Sequence, residues 1–280
     1  MPRKPPRPAV YLTRRPTLVE RLLGRNRFQR SDVPGPEVEG FELVRDGASH
    51  VAWWSSRLAP WTPFMSVGAI IPEGFEAYGR LLHPVSSREE GRVPWSRVSA
   101  WSGRPLEPTS FFGDLARRTD GVSWRTVGDG PDEGEFPEAQ CRRLAAVLGE
   151  FTSTPEDCWF AMWFGWSTFS SPHHDESVLI DLSPAIKASG RRYLLYRGPL
   201  RSITRFRLLG GRFRPPSFWW PQDRRWFVST EIDAGSTYIG GQAKLIERLR
   251  SIEDLELLPS DIAHPFDGTH PGQISWYSAS

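Results

Sequence analysis

"WWPQDRRWFVSTEID", residues 219–233, decides how this chain is read. Its β-branched and aromatic residues predict a strand, and successive side chains of a strand point to opposite faces of a sheet. Alternation over residues 224–233 places Trp226, Val228, Thr230 and Ile232 on one face and Phe227, Ser229, Glu231 and Asp233 on the other. Two carboxylates and a hydroxyl on one stripe have two readings. They form the wet face of an antiparallel sheet, or they present a general base or oxygen ligands for a divalent cation. Trp219 and Trp220 lie at the mouth of this stripe, where exposed aromatic faces would rim a cleft for a flat ligand.

Downstream, "AGSTYIGGQAKLIERL" leads from the acids through Ser236, Thr237 and Tyr238 to Gly240 and Gly241, read as a helix start whose free N–H groups can hold an anion. Leu245, Ile246 and Leu249 form the apolar stripe of that helix. Upstream, "FELVRD" and "SHVAWWSSRL" around Asp46-Gly47 predict one hairpin. "FMSVGAII" and "FEAYGRLLHPV" around Pro72-Glu73-Gly74 predict a second. "VPWSRVSAWSG", "SFFGDLARRTDG" and "FPEAQCRRLAAVLGEF" predict helices. In the last, Pro137 opens the first turn, and Cys141, Leu144, Ala145 and Leu148 recur at helical spacing. "TVGDGPDEGEF" between them reads as a solvated Gly- and acid-rich loop. "CWFAMWFGWS", "SVLIDLS", "RRYLLYRG" and "SITRFRLL" add strands, and "GQISWYS" closes the sheet. Strands, then helices, then strands predict an α+β fold with a mostly antiparallel sheet and a few helices packed on it.

"TPEDCWFAMWFGW", "RRYLLYRGPL" and "FWWPQDRRWFVSTEIDAGSTYIGG" resemble a group of uncharacterised actinobacterial proteins. The resemblance covers residues 60 to 265 and implies one folded unit in a high-GC bacterium, with no activity attached. An arginine-rich composition, in which Lys4, Lys187 and Lys244 are the only lysines, suits such a genome. Arg197, Ser229 and Thr230 are also loosely similar to the arrangement of ADP-ribosyltransferases. The acid-x-Glu motif of that family falls on Asp254 and Glu256, at what reads as a helix end, which departs from the family pattern.

Charge separates a tail from a body. Residues 1–30 hold nine Lys or Arg against Glu20, a net of +8, so with +2 for the whole chain the other 250 residues carry −6. Residues 1–37 are therefore read as a basic, Pro/Arg-rich, disordered tail capable of weak nucleic-acid contact, and residues 38–280 as a single α+β domain. No apolar run approaches the roughly 20 residues of a membrane-spanning helix, and no secretory signal is present, so a cytoplasmic location is expected. Cys141 and Cys158, the only cysteines, give no disulfide framework and are expected to be small buried hydrophobes. His173 and His174 in "SPHHDES" are adjacent and read as a solvated loop.

These features define a non-catalytic protein that binds a small molecule or a protein partner in an aromatic-rimmed cleft. The expected ligand-binding residues are Trp219, Trp220, Arg197, Ser229, Glu231 and Asp233, with no metal site and no cofactor. The alternative is a metal-assisted enzyme acting on a phosphorylated or nucleotide ligand. Glu231 and Asp233 would then serve as ligands or base, with Arg197 or Arg225 on the anion.

Overall fold

The computed structural model describes residues 37–45, 47–61, 65–166, 179–180, 191–208 and 210–266. The basic tail up to residue 36, "SPHHDES" and "GQISWYS" lie outside the described residues. The chain order is β1 (Glu42–Leu43), α1 (Ala48–Ser55), β2 (Ala77–Leu82), β3 (Val85–Ser87), β4 (Gly91–Val93), α2 (Trp95–Ser102), α3 (Phe112–Leu115) and β5 (Gly128–Pro131). It continues with α4 (Glu138–Glu150), β6 (Cys158–Trp163), β7 (Leu179–Ile180), β8 (Tyr193–Gly198), β9 (Phe218–Pro221), β10 (Phe227–Ser229), β11 (Ser236–Gly241), α5 (Ala243–Arg250) and β12 (Leu257–Ser260).

The fold is α+β, as the order of elements predicts. One large antiparallel sheet runs β1-β8-β6-β9-β10-β11-β2-β12, with β7 also on β8, and a small sheet runs β4-β3-β5. Both faces of the large sheet are covered. On one, Phe160, Trp219, Val228 and Ile239 pack against Leu144 and Leu148 of α4 and Leu245 and Leu249 of α5. On the other, Phe218, Trp220, Phe227 and Tyr238 pack against Val51 and Trp54 of α1 and the segment around Ile70 and Ile71. Adjacent tryptophans of β9 thus point into two different cores. A third cluster around Trp95, Phe112 and Trp124 fills a smaller lobe. Arg80 ties this lobe to the sheet: its Nε donates to Ser236 Oγ at 3.0 Å, and its Nη1 donates to the carbonyls of Pro108 and Ser110 at 3.1 and 2.8 Å.

Several elements differ from the sequence reading. Residues 219–233 are two strands, because the turn at residues 222–225 folds β10 back onto β9, and Arg224 takes a positive φ of 58° there. "SHVAWWSSRL" forms the helix α1, with Val51 and Trp54 buried three residues apart, and β1 pairs with β8 instead of entering a hairpin. In the second expected hairpin only β2 is a strand, since residues 67–69 make a 3₁₀ turn. "SITRFRLL" likewise begins in a 3₁₀ helix, Leu200–Arg205, that buries Leu200 and Ile203. Gly240 and Gly241 belong to β11, paired with Tyr78 and Ala77, so they are no anion-holding helix start. "DLELL" continues into the edge strand β12 on β2. By contrast α4 follows its predicted pattern: Cys141, Leu144, Ala145 and Leu148 are all buried.

Candidate functional site

Glu231 lies just beyond β10, where the strand face bearing Phe227 and Ser229 runs under α1 and its neighbours, so it is buried, not on a wet face. A buried carboxylate needs a counter-charge. Arg191, immediately before β8, supplies it through Nη1 to Glu231 Oε1. The other Glu231 oxygen accepts the backbone N–H of Asp233 at 2.7 Å. Asp233 also pairs with Arg191, through Nη2. The two acids therefore bracket one guanidinium, although Glu231 is 2% exposed and Asp233 58%. Trp61 lies 5.2 Å from the Arg191 guanidinium and covers one of its faces.

A second ionic group lies alongside. Gly134 crosses the turn after β10 closely enough that its N–H donates to Ala234 O at 3.0 Å. A Cβ on Gly134 would meet the Ile232 backbone at 2.8 Å, and its φ is +65°, so this crossing requires glycine. The following residue, Glu135, is buried and shared by two arginines: Oε1 pairs with Arg212 Nη2, and Oε2 with Arg214 Nη2 at 3.0 Å. Arg214 Nη1 donates to Glu133 O at 3.4 Å, and its guanidinium lies 3.8 Å from the centre of the Trp166 ring. Burial, and next the Arg212 guanidinium, hold the Arg214 pKa below the ordinary arginine value, at about 10.

Behind these ion pairs runs a buried chain of hydrogen-bonding side chains. His83 Nδ1 lies 2.9 Å from Asp132 O, which only accepts, so Nδ1 carries the proton. Nε2 lies 2.9 Å from Thr237 Oγ1, which in turn lies 2.8 Å from Thr230 Oγ1. Residues 132–136 are accordingly the centre of the site and not a solvated loop. Asp132 holds His83, Gly134 meets the β10–β11 turn, Glu135 holds two arginines, and Phe136 stacks on His83.

The six expected site residues are dispersed. Glu231 and Asp233 meet at Arg191, and Ser229 stands two positions before Glu231 with its Oγ buried and without a hydrogen-bond partner. Trp219 and Trp220 are fully buried core residues and rim no cleft, because β9 is an interior strand of a sheet covered on both faces. Arg197 sits on β8, where it is bidentate to Asp157 at 2.6 and 2.7 Å. Glu256 accepts the N–H groups of Trp95 and Ser96, capping α2. The loose match to ADP-ribosyltransferases therefore places its arginine and its acid in structural roles. Among the described residues, no group of three His, Cys, Asp or Glu side chains could hold a metal ion. No helix among them is long and apolar enough to cross a membrane.

Sequence reading missed Arg191, Arg212, Arg214, Glu135 and His83. Comparison with protein-family models, with curated proteins and with solved structures finds no match for this chain.

Proposed function

We propose that this chain is a cytoplasmic, non-catalytic binding protein that holds a small polar ligand at the arginine–carboxylate cluster of residues 132–136, 191, 212–214 and 231–233. The observation that carries this reading is that three of the four buried Arg or Glu side chains among the described residues, Arg214, Glu135 and Glu231, gather at one end of the sheet, the fourth being Arg80, which ties the small lobe to the sheet. Packing alone does not call for them, since well-fitted apolar residues hold a fold at least as well as buried ion pairs. The tryptophan faces beside Arg191 and Arg214 replace the aromatic rim first expected at Trp219 and Trp220. Two buried free thiols, Cys141 and Cys158, agree with a reducing compartment, and the arginine bias with a high-GC actinobacterial source.

A thermal-shift screen of a metabolite library, with wild type beside Arg191→Met and Arg214→Met, tests the proposal. Ligands that bind the native state raise its melting temperature by mass action. The proposal requires compounds that stabilise the wild type and leave folded variants unmoved. Equal shifts in wild type and variants would place binding elsewhere and reject this site.

A further inference from the structure

Arg214 is buried, yet one of its donors is unused: Nε–H has no hydrogen-bond partner. The edge formed by Nε and Nη2 is the fork that matches two oxygens of a carboxylate or phosphate. Glu135 fills only the Nη2 half of that fork, while its other oxygen is drawn to Arg212. Two guanidiniums on one carboxylate leave this trio with one excess positive charge. It also runs from solvent inward, with the Arg212, Glu135 and Arg214 side chains 62%, 10% and 5% exposed. Trp166 covers one face of the buried guanidinium and closes that face to an approaching group.

Resting on the binding reading above, we infer that the ligand carries an oxyanion, a carboxylate or a phosphate, which enters past Arg212 and completes the Nε–Nη2 fork of Arg214, displacing Glu135. The resident carboxylate is then a placeholder that keeps the arginines apart and compensated until the ligand arrives. Its negative charge competes with the ligand, so removing it strengthens binding.

The test is titration of ¹⁵N-arginine-labelled protein at constant ionic strength, following the Nε–H resonances with acetate, inorganic phosphate and ethylammonium as probes. Arg214→Lys assigns its resonance. The inference predicts that acetate or phosphate moves the Arg214 Nε–H resonance saturably, the better of the two naming the ligand's head group. Glu135→Gln should tighten that response by about tenfold. Arg212→Gln, a change at an exposed side chain that leaves the fold intact, should weaken it several-fold. Failure of both anions to move the resonance in wild type and in Glu135→Gln overturns the inference. If ethylammonium alone shifts the arginines of the cluster, the binding reading stands without the oxyanion. If no probe shifts them and the metabolite screen is also silent, both fall.

Discussion

Glu231 and Asp233 are two residues apart, carry the same charge and contact the same arginine, but their surroundings separate their energetics. Glu231 is buried with Arg191 as its partner, so Glu231→Gln leaves a largely buried guanidinium with only the exposed Asp233 as counter-charge and should cost about 3 kcal/mol. Asp233 is mostly in water, where an ion pair contributes little, and Asp233→Asn should cost less than about 1 kcal/mol. Urea unfolding of the two single variants decides this, and equal losses would show that Glu231 is not the buried partner described. The identity of these acids was legible in the sequence, but β10 ends at Ser229, so both lie beyond the strand whose alternation was used to place them. The burial of Glu231 was not legible, because it depends on α1 and the segment at residues 65–71 covering that face, and both had been read as strands of the sheet itself. Glu135 and Arg214 were harder still. Their partners lie 77 and 79 residues apart in sequence, and no local spacing announces such a pairing.

At the level of elements, α2, α3, α4 and α5 lie in segments readable as helices, and α1 does not. α4 buries the positions its period indicates, whereas "SHVAWWSS" has strand-like composition and reveals its helix only in the three-residue interval between Val51 and Trp54. Caps supplied from a distance are invisible in sequence. α2 has Pro94 at its N-cap and no side-chain cap of its own; Glu256, 160 residues away, accepts from Ser96 N at 2.8 Å and Trp95 N at 2.5 Å. Glu256→Ala should therefore cost about 1 kcal/mol, the usual value of a lost cap. An unchanged urea midpoint would show that water replaces this cap. Between strands, the hydrogen bonds from Arg197 hold the Asp157 carboxyl below the ordinary carboxylate range. Because its folded value is below its unfolded one, this pair stabilises the fold above about pH 4, and the contribution fades as pH falls through the folded value. Asp157→Asn should thus be slightly less stable than wild type at pH 7, with the gap closing in acid. A gap that persists unchanged to about pH 2 would remove Asp157 as its source.

For the molecule as a whole, an antiparallel sheet covered on both faces uses most of its thirteen tryptophans as core and leaves polar chemistry to its ends. The α+β class was legible because the order of strand-rich and helix-rich segments is a coarse property that survives errors in single elements. The site was only half legible, since it forms where the β2–β3, β5–α4 and β10–β11 connections meet, and connections are positioned by the sheet. The proposed function makes the ionic cluster at this meeting point a binding feature and not one that holds the fold. The most direct measurement is the melting temperature of the double variant Glu135→Leu/Arg214→Met, which replaces the buried pair with apolar side chains of similar size. A binding site superimposed on a self-sufficient core predicts a melting temperature equal to or above that of the wild type. A fall of about 10 °C or more, beyond what a loss of 1–2 kcal/mol produces in a domain of this size, would make the cluster a structural keystone and contradict the account.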